Sequence, residues 1–362
     1  MDTAPHPLTG QARRLAEVLL APHAQRVDQE GVPLSHIDAL RGSGLLGTSA
    51  PTAYGGAGAP DAVAREVQEI LAGACCSTWF VQTQHHTPVR LLARSDSPAR
   101  DSLLGPLATG ALMAGIAYAH VRAFPRVLVR ATPQGRGWRF DGAVPWYTGW
   151  GLNDVMLLAG ISDEAEVVFA FADARDRPGL EASPPMRLAA LSASRTVSLT
   201  LDGLWLPDAS VVLRAPQETW ARHDAARGAN ASPAVFGVAY AALRLLEQAS
   251  DTGTGGRALR ARLDEVRRRA YALAEHPEPE EHVAERLSLR TQAYHLMRTA
   301  TTAAVVAGGG RTMGLDHAAQ RLAREGLFLL IQGQTAQARS AHLRSLTAAV
   351  DQLRWPPLED SV

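Results

Sequence analysis

Four consecutive residues, Trp146-Tyr147-Thr148-Gly149, carry the most specific chemistry in this chain of 362 residues. An indole offers a stacking face, a hydroxyl can hydrogen-bond an edge nitrogen, and a glycine lets backbone approach closely, so together they suit a flat aromatic ligand. They lie near the end of the stretch GWRFDGAVPWYTGWG (residues 137–151), in which Trp138, Phe140, Val144 and Trp146 recur with the period of a strand. Asp141-Gly142 is a tight-turn dipeptide, so the stretch is expected to form a hairpin whose second strand ends at Gly149. The same spacing also fits an ordinary β-sandwich hairpin with buried tryptophans.

The elements that must position these residues are legible from texture. Residues 10–30 place Leu15, Val18 and Leu19 at helical spacing, with Pro22 expected to kink or end that helix. Ser35 is expected to cap a short helix stopping near Gly42 and Gly44, and Asp61 the next, whose face carries Val63, Val67, Ile70 and Leu71. A further apolar helix over residues 77–94 carries Trp79, His85 and His86. From Leu112 to about Val212, β-branched runs separated by Gly, Asp and Pro mark an antiparallel β-domain. A helix opens at Ser232-Pro233 and runs to about Gln248, a break follows at residues 252–256, and further helices are expected over about 257–275, 282–306 and 317–350. The fold class is therefore α+β: a helical domain over residues 1–110, a central β-domain over 111–214 and a helical bundle over 215–362. Nothing alternates as the βαβ units of Rossmann or TIM folds do.

Composition excludes several functions. Basic and acidic residues balance at 36 each, so no global field favours nucleic acid or an acidic membrane. Every basic residue is arginine, which rules out a lysine Schiff base or P-loop. The cysteines, Cys75 and Cys76, are adjacent and form neither a zinc pair nor a disulfide framework; buried thiols in a reducing cytosol are expected. The N-terminus lacks a signal peptide's apolar core and no run approaches a membrane span, so a cytoplasmic protein is expected. There is no HExxH, CxxC or GxSxG, hence no expected metal site and no serine hydrolysis. Arg257, Arg260, Arg262 and Arg267 to Arg269 make a basic helix face, read as salt-bridged and solvated because Asp264 and Glu265 lie close.

The order helical, β, helical and a series of motifs resemble the acyl-CoA dehydrogenase superfamily. The family's P-x-x-Y-G-G-x-G loop reads Pro51, Tyr54, Gly55, Gly56 and Gly58. Its flavin-facing strand N-G-x-K-x-W-I-T reads Asp141, Gly142, Trp146 and Thr148, with Val144 where the lysine stands. The closing strand F-D-D-V-x-V-P reads Leu201 to Pro207. G-G-x-G followed by R-x-x-R-D reads Gly309, Gly310, Arg321, Arg324 and Glu325, and Y-E-G-T-x-Q falls on Gln332, Gly333, Gln334, Thr335 and Gln337. The resemblance implies a C-terminal four-helix bundle, FAD held between the β-domain and that bundle, and assembly into a homodimer or homotetramer. It places Trp146, Thr148 and Gly149 at the flavin ring, and Thr335, Gln337, Gly309 and Gly310 elsewhere around the cofactor.

Departures from the family pattern bear on the reaction. A dehydrogenase of this family needs a glutamate to take an α-proton; that position reads Gly333, and the alternative stretch, residues 227–235, has no Asp or Glu. The T-E-P-x-x-G-S-D loop has no counterpart in residues 117–125, and the arginine-phenylalanine-glycine motif at the adenine end is missing around residues 255–263. FMN, or a reduced flavin supplied by a reductase partner, is therefore an alternative to FAD. Loss of the base with retention of the ring site resembles the two-component monooxygenase branch, which takes reduced flavin and oxygen. In that branch a histidine from the first helical domain holds or protonates the peroxide, a role that falls to His85 or His86, with His120 a weaker candidate; a core histidine is the competing reading. Ser194 and Thr196, in a Ser-Arg-Thr turn, are candidate contacts to substrate or peroxide, as are Gly333 and Gln334, although hydroxyls favour such turns on their own account. A small-molecule or acyl-thioester substrate is expected. A desaturating dehydrogenase with a relocated base and a flavin-free scaffold remain as alternatives.

Overall fold

The computed structural model describes residues 6–249, 253–278 and 280–351. The chain opens with helices α1 (Pro7–Leu15) and α2 (Ala21–Glu30), joined without interruption by a π-helical turn, Ala16–Leu20. Pro22 thus neither kinks nor ends the helix: it sits in the first turn of α2, where the wider turn accommodates a residue without an N–H. Then come α3 (Leu34–Gly42) and α4 (Asp61–Ala74). Both are preceded by a proline, Pro33 and Pro60, so Ser35 and Asp61 lie inside the first turn instead of capping it. The expected helix over residues 77–94 is split into α5 (Cys76–Thr83) and α6 (His86–Ala93). Pro88 has no N–H to return to Gln84, and the chain turns there. Helix α7 (Ala99–Thr109) completes the series.

The β-domain holds β1 (Ala114–Ala117), β2 (Val129–Pro133), β3 (Gly137–Tyr147), β4 (Val155–Ile161), β5 (Glu166–Asp173), β6 (Leu180–Ala182), β7 (Val197–Pro207) and β8 (Val211–Pro216). They form an eight-stranded sheet in the order β6-β7-β3-β2-β4-β5-β8, with β1 alongside β4. The ladder is mostly antiparallel, but β1 runs parallel to β4 and β2 meets β4 in parallel at Arg130 and Ile161. The expected hairpin at Asp141-Gly142 is not there. β3 is one strand, paired with β2 on one edge and β7 on the other, and Gly142 occupies a bulge at φ +130°. A Cβ on Gly142 would stand 2.1 Å from the Leu128 carbonyl, and the Asp141 carboxylate accepts from the Gly203 amide at 2.8 Å. With partners on both edges the extra residue bends the strand instead of reversing it.

Among the described residues six helices follow: α8 (Gln217–Gly228), α9 (Pro233–Gln248), α10 (Gly253–Ala274), α11 (Val283–Gly308), α12 (Ala318–Ile331) and α13 (Ala336–Asp351). α8 has no counterpart in the sequence reading. The break expected at residues 252–256 lies partly outside the described residues, and α10 already begins at Gly253. The long helix expected over 317–350 is two helices, because Gly333 adopts φ +61° between them.

Apolar burial ties these parts together. Residues of α1, α2, α4 and α5 share one core with α9, α10, α11 and α12, while the sheet buries one face on itself and the other against α6, α7 and α8. Helices α4 and α9 cross at Gly73 and Gly237, where a Cβ on Gly237 would lie 2.1 Å from the Glu69 carbonyl. Only a glycine pair permits that approach. No helix among the described residues is long and apolar enough to cross a membrane.

Candidate functional site

The end of β3 is where the candidate ring-binding residues stand. A second register shift between Val144 and Tyr147 turns Trp146 outward, leaving it 56% exposed, while Tyr147 and Thr148 turn into the protein. Thr148 meets two further hydroxyls: its Oγ1 is 3.1 Å from that of Thr196, which lies 2.9 Å from Ser194 Oγ, and all three side chains are buried. This chain of hydroxyls is held by backbone. The Gly149 amide donates to the Ser194 carbonyl and the Trp150 amide to that of Arg195. Leu191 and Arg195 both take the left-handed conformation, at φ 56° and 49°, which non-glycine residues enter only under constraint. Contacts to α2 and α5 supply it: the Val32 amide donates to the Ala193 carbonyl at 3.0 Å.

Asn153, which the sequence reading did not single out, completes the corner. Its Nδ2 donates to the Tyr147 hydroxyl at 3.2 Å and to the Thr148 carbonyl at 2.9 Å, while its buried Oδ1 has no partner among the described residues. A Cβ on Gly149 would stand 2.6 Å from Asn153 Nδ2, so the glycine is needed for this contact. The only signal for it was an asparagine shortly after the strand, a common turn residue.

The two histidines have different surroundings. His85 is fully buried and its Nδ1 accepts from the Ala114 amide at 3.0 Å. Burial lowers it to about 4, against a smaller opposing pull from the Leu107 carbonyl. Its Nδ1 anchors β1, and its buried Nε2 has no hydrogen-bond partner among the described residues. His86 is half-buried: its Nε2 lies 3.0 Å from Gln68 Nε2 and 2.9 Å from Gln82 Oε1, and the tautomer decides which contact is a hydrogen bond. Burial, then the neighbouring His85 and Arg90, push it well below the usual histidine value. His120 is buried, its Nε2 donating to the Ala159 carbonyl at 2.9 Å, and serves the sheet.

The turn between α12 and α13 gathers the remaining candidates. Gly333 is exposed, with open space where a Cβ would be. Gln334 is half-buried and donates to the Leu330 carbonyl at 3.1 Å. Thr335 is buried, its Oγ1 accepts from the Ala338 amide as the cap of α13, and its methyl packs on Gly228 at the end of α8. Gln337 lies exposed on α13. Gly309 and Gly310 sit beyond the C-terminus of α11, exposed and with no neighbour within 4 Å of a Cβ. The hydrogen bonds therefore unite Thr148, Gly149, Ser194 and Thr196, whereas Trp146, the α12–α13 turn and the two glycines occupy separate positions. Carboxylates near the bundle are engaged: buried Glu325 pairs with Arg321 at 2.7 Å, and Glu69 with Arg267 at 2.7 Å and the Tyr271 hydroxyl.

Exposed Trp146 and buried Thr148 thus stand at the end of β3, with the buried, unpartnered Asn153 Oδ1 near the latter. A helical front, a bulged central sheet and a helical bundle surround this corner. Residues 6–111 match the model of the acyl-CoA dehydrogenase N-terminal domain. The chain is 27% identical to a probable acyl-CoA dehydrogenase of Mycobacterium leprae (strain TN) over 57% of its own length and 55% of that protein's, so it matches about half of that relative. Its fold is similar to the butyryl-CoA dehydrogenase of Megasphaera elsdenii (TM-score 0.82, 16% identity, covering 96% of this chain and 100% of that one). It is also similar to the dibenzothiophene monooxygenase of Paenibacillus sp. A11-2 (TM-score 0.77, 17% identity, covering 97% and 98%). Residues 6–111 thus match the acyl-CoA dehydrogenase N-terminal domain, and the chain as a whole has the acyl-CoA dehydrogenase fold.

Proposed function

We propose that the protein is a flavin-dependent oxidoreductase that works without the family's carboxylate base and uses reduced flavin and oxygen on a small or carrier-bound substrate. The observation that carries this reading is Gly333: the turn that holds the family's glutamate here presents a left-handed glycine with nothing around it. Glu325, the carboxylate on α12, is fully buried and pairs with Arg321 through Oε1, while its Oε2 has no partner among the described residues, so a relocated base there is the reading that competes with this one.

Trp146 and Thr148 would hold the ring of FAD or FMN, and Thr335 and Gln337 its ribityl-phosphate side. Bound in the reduced state, the flavin would supply electrons to oxygen. The protein's own part is positional. The hydroxyls of Thr148, Thr196 and Ser194 can pass a hydrogen bond from a buried corner to the ring edge, and their burial excludes water. His86, held neutral and hydrogen-bonded to Gln68 or Gln82, could hold reduced oxygen by a hydrogen bond but not protonate it.

Two partner readings accompany this one. A separate flavin reductase would supply the reduced cofactor. Large exposed apolar side chains on the bundle, Val306, Met313, Leu315, Leu327 and Ile331, support a homodimer or homotetramer formed through it. The test is turnover: with reduced flavin, air and a panel of aromatic and acyl-thioester substrates, oxygen should be incorporated into product. Anaerobic bleaching of bound oxidised FAD by an acyl thioester would instead assign a dehydrogenase.

A further inference from the structure

Two arginines on one face of α11 are buried with no acid paired to them among the described residues. Arg286 and Arg290, four residues apart and so one turn from each other, are 2% and 3% exposed. Arg286 donates from Nε to the Glu281 carbonyl at 3.1 Å and from Nη1 to Asn230 Oδ1 at 2.9 Å. Arg290 donates from Nε to His342 Nε2 at 3.2 Å, and from Nη1 to the carbonyls of Gly228 and Asn230 at 3.2 and 2.9 Å. In both side chains Nη2 is buried and has no hydrogen-bond partner among the described residues; the same holds for the Tyr294 hydroxyl, one turn further along the same face.

A guanidinium cannot shed its proton, so the charge remains in place. A buried charge without a counter-charge is strongly unfavourable, and neutral carbonyls compensate it only in part. His342 adds no negative charge: its Nε2 accepts from Arg290, so the ring is neutral. Arg290 Nη1 caps the C-terminus of α8 and its guanidinium lies 4.6 Å over the Tyr294 ring, while Arg286 Nη1 is held by the Asn230 side chain; both Nη2 groups remain without a hydrogen-bond partner. The pair also lies beside the candidate site, because the Gly228 carbonyl that Arg290 holds belongs to the residue against which Thr335 packs.

We infer that Arg286 and Arg290 form an oxyanion subsite beside the turn of Gly333 to Thr335, which takes the phosphate of a flavin or of a pantetheine-type thioester arm. The choice of those two ligands rests on the function proposed above; the anion site itself does not. Paired guanidinium forks match phosphate geometry, and Tyr294 offers a further donor.

The full-length protein is titrated with two ligand pairs that differ only in phosphate: FMN against riboflavin, and 4′-phosphopantetheine against pantetheine. Inorganic phosphate is tested separately for thermal stabilisation against chloride at matched ionic strength. Phosphate is expected to raise Tm, and in one pair the phosphorylated member should bind about tenfold or more tightly, the size of a charge-assisted contact. The pair that discriminates identifies the source. Arg290→Gln and Arg286→Gln should each collapse that ratio towards one while leaving the dephosphorylated member's affinity within about twofold, a selective loss that a structural defect does not produce. If Arg290→Gln fails to fold, Arg286→Lys, which keeps charge and removes the fork, should still lower the ratio. Equal binding within both pairs, with no stabilisation by inorganic phosphate, overturns the inference. Phosphate and phosphopantetheine binding without any flavin binding would leave the subsite standing and remove the proposed function; flavin-dependent oxygen use without phosphate discrimination would do the reverse.

Discussion

Trp146 is the residue on which the proposed ring site depends most. It is the large aromatic side chain that the second register shift of β3 turns outward at the strand end, and its indole is more than half exposed. Trp146→Ala should weaken flavin binding about fivefold or more, since a lost stacking face costs about 1 kcal/mol; an unchanged titration would take Trp146 out of the site. The corner around Thr148 was legible as residue types but not as partners. Thr148, Ser194 and Thr196 could be named from the sequence, yet that they share one hydrogen-bonded chain depends on strands far apart in sequence. Asn153 escaped notice because an asparagine in a turn looks the same whether it serves its own backbone or a neighbour's hydroxyl. Arg286 and Arg290 escaped for a similar reason: arginines four apart on a helix ordinarily signal a solvated face. The basic stretch of α10 shows that ordinary case, with Arg260 paired to Glu247, Arg267 to Glu69 and Arg268 to Glu265.

At the scale of elements, the order of helices and strands was readable and the interruptions were not. Periodicity marks where apolar faces lie, so α9 and α11 emerge close to their expected bounds. Asp141-Gly142 was taken for a turn because the dipeptide alone cannot tell whether both strand edges will find partners; here β2 and β7 do, and the glycine becomes a bulge. Gly333 and Pro88 divide helices whose apolar spacing continues through them. The crossing of α4 and α9 gives a sharp prediction. Gly237→Ala would push a methyl against the Glu69 carbonyl, so the helices must separate. Overpacking of this kind costs about 1–3 kcal/mol, to be read as a lower denaturant midpoint at constant m-value. No loss of stability would mean that the crossing is looser than described.

At the scale of the molecule, the shared core of the first and last helices makes pH a global variable. His85, His120 and His342 are each held near 4, in every case chiefly by burial, against an ordinary value of 6.5. Below 6.5 the unfolded chain takes up protons that the folded one refuses, so stability should be full above that pH and fall as the pH drops towards 4. Burial raises Glu69 and Glu325 above their ordinary 4.5, which opposes the fall at the acid end, so the histidine effect is cleanest from pH 7 to about 5.5. Urea midpoints that stay level over that interval would contradict the neutral, buried state assigned to these rings. The family and the α+β architecture were legible because motifs were spread along most of the chain, whereas the reaction hinges on a residue type at one turn. The most direct measurement is an anaerobic titration of the protein with FAD and FMN in oxidised and reduced forms, followed by admission of air. Saturable binding of reduced flavin, tighter than of the oxidised form and followed by oxygen uptake, is the result expected of a base-free site; failure of every flavin form to bind would contradict it.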